Sequence, residues 1–439
     1  MILLCFIWFC FLYFIVYKTS PSKNLFSPTR FVAIKYAFFN LLFIFMIYVD
    51  PSLFPDEILR VINKDIDSAF FTYTIIQTIA FISLVIGIRT YKSNKVKKIK
   101  LIDDSYVSLK FLGVVFFLVG LLSYINFLNS LGGFAFLISN LSSRHELTEG
   151  YNISFFLPFF TLSALFLISC ISKKNKLIDK FILAFILFVS IIVFSSLGGR
   201  KNTLYLIITL VFGYHFLIKS ISLKKISAIR VILISSFIAV YIVFIPLLRS
   251  NEGLEKVQET NIVESIELDN LIFSISYTYI DIFAANYFNS ENAWYLKSAG
   301  DVPYILSSTG SNKSYLPPVD DGLYFSSIVK YRKHFTPPTA RNEMYSSSWP
   351  IENFGFSYAN FLIPGVIFFF FLQGRIFSFV YGYLSENNTS TIIIFFYVFV
   401  LFNFNFSNLR LVQLVFILPI ISLSIFVSYL LGRKRGKLQ

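Results

Sequence analysis

Six arginines of this chain stand where a positive charge has a use beyond setting orientation. Arg144 (SSRHELTEG), Arg200 (SSLGGRKN), Arg249 (IPLLRSNEG) and Arg410 (NFSNLRL) lie in polar connectors or at the ends of apolar runs, and Arg332 and Arg341 (PPTARNEM) lie in one long polar stretch. A guanidinium stays charged at any physiological pH, and its planar fork matches phosphate oxygens two at a time. Arg200, Arg249 and Arg410 each abut the end of an apolar run, so their forks are expected near one depth at a membrane surface. Such a ring suits the phosphate or pyrophosphate of a lipid-linked substrate. Any one of them is equally well explained by snorkelling to lipid headgroups or by pairing with a nearby acid. That account weakens when three share one depth.

A transfer onto a hydroxyl also needs a group to take its proton, and carboxylates or histidine can serve. Glu146, Glu149, Asp281, Asp320, Asp321, Glu343, Glu352 and His334 are available on the same side. Glu146, His334 and Glu343 are the base candidates, and the sequence does not choose among them. Glu146 is two residues from Arg144 and is equally a salt-bridge partner for it. Gly198 and Gly199, just before Arg200, permit a tight reversal and close approach of backbone to a bulky anion. Asp65-Ile-Asp67 has the spacing of a metal-binding acid pair, but solvation explains a lone pair of this kind better. No metal site is expected from it. Cys5, Cys10 and Cys170 sit inside apolar runs, with neither CxxC spacing nor placement in a polar loop, and read as small core residues. No phosphate-binding loop, dinucleotide fingerprint, HExxH or GxSxG occurs, so no nucleotide or other cofactor is expected.

The elements that must position these groups are apolar. Hydrophobic residues make up 56% of the 439 residues and charged ones 14%, outside the usual range of soluble domains. Runs at about 2–17, 31–49, 69–88, 109–128, 152–171, 179–196, 203–218, 228–247, 357–373, 390–405 and 411–431 are long enough to cross hydrocarbon as helices. Lipid leaves backbone groups no water to bond, so such runs must be helical or close into a barrel, and these lack the alternation of barrel strands. The fold class is an all-α polytopic membrane protein of about eleven transmembrane helices. The chain divides into an N-terminal bundle (1–247), one large extracytoplasmic loop (248–356), and a C-terminal bundle with a basic tail (357–439).

The formal charge of +14 is concentrated in short connectors such as RTYKSNKVKKIK and SKKNK and in the tail GRKRGK. Lys and Arg in short connectors mark the cytoplasmic side, which explains the charge without nucleic acid. The tail sets the C-terminus in the cytoplasm, and an odd number of crossings then puts the N-terminus outside. By contrast, the stretch 249–355 holds 13 of the 24 acidic residues and 8 of the 38 basic ones. A loop this long is usually functional rather than slack.

With these pieces in place, the chain resembles the bacterial O-antigen, or oligosaccharide repeat-unit, polymerases. The resemblance is carried by FSPTR (26–30), SSRHELTEG (142–150), SSLGGRKNTLYL (195–206) and ENFGFSYANFLIPG (352–365), and by the late, long loop. It implies a GT-C-like membrane glycosyltransferase in the bacterial inner membrane, with its N-terminus periplasmic. Such an enzyme moves a growing glycan from undecaprenyl pyrophosphate to a new lipid-linked repeat. Arg144, Arg200 and Arg249 match the periplasmic arginines thought to bind pyrophosphate in the family, and Arg341 and Arg410 extend that set. Its partners would be the lipid-linked oligosaccharide, membrane lipid and a chain-length regulator. The related O-antigen ligases are the alternative within the enzyme class. A flippase for lipid-linked sugars is the rival outside it, and spans nearly free of ionisable residues speak against that rival.

Overall fold

Apolar runs cut off from water satisfy their backbone only by bonding within themselves, and helices are what the chain forms. The computed structural model describes residues 1–91, 105–140, 153–197, 200–221, 276–301, 315–386 and 390–436, and among them there is no strand. In chain order the helices are α1 (Ile2–Lys18), α2 (Pro28–Val49), α3 (Asp56–Ile62), α4 (Ile66–Thr90), α5 (Tyr106–Leu131), α6 (Phe134–Ser139), α7 (Ile153–Lys173) and α8 (Leu177–Ser196). They continue with α9 (Arg200–Gly213), α10 (Thr278–Tyr287), α11 (Gly322–Tyr331), α12 (Asn353–Glu386), α13 (Thr391–Asn403) and α14 (Asn408–Gly436).

Helices α2, α4, α5, α7, α8, α12 and α14 contain stretches long and apolar enough to cross a membrane, and so does Lys201–Ile218, which is α9 continued through the wider turn Tyr214–Ile218, so this is an α-helical membrane-spanning protein. Helices α1 and α13 are apolar but shorter. The runs read as spans fall on these ten helices, except 228–247, which lies outside the described residues. Local chemistry sets several ends. Ser27 and Pro28 open α2, Pro giving up an N–H that the first turn leaves unbonded anyway. Ser105 Oγ accepts from Ser108 N to cap α5, and the Gly133 N–H closes its far end on Leu128 O.

The described residues form two compact units that interleave along the chain. In one, α5 packs along α7, joined by Ser163 Oγ donating to Gly113 O at 2.6 Å. Asp179 of α8 is wholly buried there, held by Lys110 Nζ at 2.8 Å and Tyr106 OH at 2.7 Å. A carboxylate out of water needs such partners.

The other unit holds α1–α4, α10, α11, residues 353–381 of α12 and the segment 403–414. Here α4 and α12 cross at Gly87 and Gly374. A Cβ on Gly87 would stand 2.1 Å from Phe371 O, and one on Gly374 2.2 Å from Leu84 O. Only bare backbone fits that approach. Arg375 Nη1 and Ser378 Oγ then donate to the terminal carbonyls Thr90 O and Ile88 O of α4, at 3.0 and 2.7 Å. Helix α10 packs along α4, and Thr278 Oγ1 at its start donates to Asn40 Oδ1 at 3.2 Å. Asn40 lies midway along α2, so this polar segment reaches the middle of an apolar helix.

Candidate functional site

The site grows from a break in α12. Phe361 and Leu362 leave helical geometry, Leu362 at φ 55°, and Pro364 follows two residues later. Proline has no N–H to give to residue 360 and disfavours helical geometry before it. The carbonyls of Ala359 and Asn360 are thereby released, and Trp294 N and Tyr295 N donate to them at 2.8 and 3.2 Å. Asn360 Oδ1 accepts from Leu296 N at 2.7 Å. The break thus anchors the polar stretch to the bundle of the same unit. Trp294, wholly buried, packs its ring against Phe288, Tyr324 and Phe325 at centroid distances of 5.3–5.5 Å and gives that stretch its own core.

The first turn of α12 is tied to the turn before α14. Asn353 Nδ2 donates to Gln373 Oε1 at 3.0 Å, Gln373 Nε2 to Phe404 O at 2.9 Å, and Phe406 N to Asn353 Oδ1 at 3.4 Å. That scaffold sets Glu352 beside Arg410. The Arg410 side chain is 8% exposed, with Nη2 at 3.6 Å from Glu352 Oε1 and Nη1 donating to Gln413 Oε1 at 2.9 Å. Glu352 is 39% exposed, and its Oε2 accepts from Asn405 Nδ2 at 3.2 Å. The charges of Glu352 and Arg410 both act on Lys35 of α2. On the other side stands Asp281 of α10. Burial first, and then the charge of Glu352, hold its carboxyl well above the usual range, against one N–H from Gly355. Two basic side chains and two carboxyls therefore share one neighbourhood.

A second acidic pair lies where α11 begins. Asp320 accepts from Gly322 N at 3.0 Å and Ser348 Oγ at 2.7 Å. Asp321, 1% exposed, accepts from Asn408 Nδ2 at 3.0 Å and Asn408 N at 3.3 Å, the first residue of α14. Burial raises both carboxyls, Asp321 to about 7. Arg410 and Arg341 oppose the rise at Asp320.

Of the arginines singled out in the sequence, Arg410 and Arg341 are thus brought to bear on one carboxyl. Arg144 and Arg249 lie outside the described residues, and so does Glu146. Arg200 opens α9, its side chain outside the described residues. His334 is largely exposed, its Nδ1 2.9 Å from Tyr287 OH; partial burial of the ring and then the charge of Lys297 lower its pKa. Glu343 sits exposed on the short turn Arg341–Glu343. Asp65 precedes α4 and Asp67 lies in its first turn, and among the described residues no group of three or more His, Cys, Asp or Glu could hold a metal ion.

Lys35 escapes the sequence reading, although a lysine inside an apolar run is a signal in itself. Asp281 and Glu352 are both named there, but not as neighbours, because a separation of 71 positions along the chain conceals it. A polar line, Tyr13 OH to Asn40 to Thr278, runs through the helices of the same unit at 2.9 and 3.2 Å. Compared with known proteins, the chain matches no family model, no curated protein and no solved structure.

Proposed function

We propose that this protein is a membrane glycosyltransferase that polymerises lipid-linked oligosaccharide repeat units, moving the growing glycan from undecaprenyl pyrophosphate onto a new repeat. The observation that carries this reading is the buried guanidinium of Arg410 at 3.6 Å from the half-exposed Glu352, with Lys35 and Asp281 in electrostatic reach. Transfer from a pyrophosphate needs fixed positive charge where the leaving group gains negative charge. It also needs a carboxylate near the incoming hydroxyl. The leaving group supplies the driving force, so no nucleotide site is required. In this reading the chain crosses the bacterial inner membrane eleven times in a GT-C-like arrangement, with residues 248–356 periplasmic and a chain-length regulator as partner.

One observation favours a second reading, transport of the lipid-linked sugar. The line from Tyr13 through Asn40 to Thr278 is polar at mid-helix, where a translocation path would run.

Purified full-length protein in lipid discs, given lipid-linked repeats, tests the first reading. A ladder of products is expected. Arg410→Ala should slow it roughly 10- to 150-fold, the worth of a charge-assisted contact of about 1.5–3 kcal/mol. Lysine should restore little, because it lacks the fork. No ladder, with lipid-linked repeats instead crossing the bilayer of reconstituted vesicles, would move the assignment to transport.

A further inference from the structure

The carboxyls near this cluster differ in the chemistry left open to them. Asp320 and Asp321 already accept from Gly322, Ser348 and Asn408, and Asp321 is sealed from solvent. Asp281 already accepts from the Gly355 N–H, and burial and then the charge of Glu352 raise its carboxyl well above the usual range. Glu343 and His334 are exposed, and neither lies on the scaffold that joins α12 to the turn before α14. Glu352 is fixed by Asn405 and Arg410, and 39% of its side chain is open.

The Arg410 contact is itself informative. At 3.6 Å it is longer than a charge-assisted hydrogen bond of about 2.7–2.9 Å. A phosphate presenting two oxygens to the fork outcompetes one carboxylate oxygen held that loosely. We propose that Glu352 is the general base of the transfer, released for that role when the donor's pyrophosphate draws Arg410 away from it. This rests on the glycosyltransferase reading.

The step balances. The acceptor hydroxyl gives its proton to Glu352 as its oxygen bonds to the anomeric carbon. The bond from that carbon to the pyrophosphate oxygen breaks, its electron pair leaving with undecaprenyl pyrophosphate, and the proton passes from Glu352 to water. Before the donor arrives, Arg410 occupies Glu352. Coupling of this kind protects a sugar from transfer to water. The charged and titratable groups around Glu352 are Lys35 and Tyr36 on α2, Asp281 on α10 and Arg410 on α14.

The test is single-turnover transfer by full-length protein in lipid discs, with lipid-linked repeats as donor and acceptor, measured across pH beside donor affinity. Glu352→Gln should slow transfer at least about 100-fold. It should also bind donor as tightly as the parent or tighter, because Arg410 is no longer shared. The parent should lose rate as pH falls through the carboxylate titration, and the variant should lose that limb. A purely structural ion pair gives the opposite pattern, in which donor binding and rate fall together. That result, or a variant within about threefold of the parent rate, overturns the assignment. A collapse in Glu343→Gln or His334→Gln with Glu352→Gln spared does so too. If the parent makes no polymer from these substrates, the glycosyltransferase reading fails, and Glu352 as its base fails with it.

Discussion

At the scale of single residues, Asp321 ties the chemistry to stability. Its carboxyl, ordinarily near 3.8, stands at about 7 in the folded chain because burial disfavours the charge. The folded state therefore holds a proton that the unfolded state releases at lower pH. The stability linked to that proton is complete below about pH 4 and is lost as pH rises through about 7. Raising the carboxyl that far corresponds to on the order of 4 kcal/mol, an upper figure because relaxation of the site reduces it. Between about pH 5 and pH 8 the purified protein should lose several degrees of melting temperature, a size expected of a change of a few kcal/mol in a chain this long. Asp321→Asn keeps the shape without the titration and should flatten that slope. An equal slope in both proteins would show that Asp321 is not the group responsible. Single residues are also the scale least legible in the sequence. Arg410 announces itself by standing at the end of an apolar run, but nothing there shows that it is buried on an acid. Lys35 is hidden by the hydrophobicity around it, and Glu352 by its distance along the chain from Lys35 and Asp281.

At the scale of elements, the apolar runs are legible because helix formation in lipid depends on local composition, and α4, α5 and α8 fall where the runs lie. What composition does not encode is where one element presses on another. Pro364 inside the run 357–373 is a visible signal of a break. Which backbone fills the released carbonyls is not visible, because Trp294 and Tyr295 come from far upstream. The α4–α12 crossing depends on two glycines in the same way. Gly374→Ala places a methyl 2.2 Å from Leu84 O, a backbone atom that cannot move without shifting α4. The expected cost is about 1–3 kcal/mol, as for overpacking elsewhere, read as a lower melting temperature in detergent. Gly133→Ala serves as the comparison for space, since nothing lies within 4 Å of its Cβ position, although its φ of 103° adds backbone strain of its own. A Gly374→Ala protein as stable as the parent would mean that the two helices do not meet there.

At the scale of the whole molecule, the substrate depends on which side of the membrane the site faces. Basic residues in RTYKSNKVKKIK, SKKNK and GRKRGK should stay cytoplasmic. The acid-rich stretch that carries Asp281, Asp320, Asp321 and Glu352 should then face outward, the side on which a lipid-linked repeat would be joined. Ser346 is exposed on that stretch, and Gly436 lies in the basic tail. Single cysteines at these two positions, with Cys5, Cys10 and Cys170 replaced by alanine, report the sidedness directly. In intact spheroplasts a membrane-impermeant maleimide should label position 346 at once and position 436 only after lysis. The reverse pattern would turn the molecule over. Arg410 and Glu352 would then face cytoplasmic substrates, and a nucleotide-linked donor would have to replace the undecaprenyl one. Labelling at both positions before lysis would point instead to an even number of crossings between them, and so remove one of the three runs 357–373, 390–405 and 411–431. The run 390–405 would be the first to re-examine, because α13, which carries it, is the shortest of the three helices between the two positions.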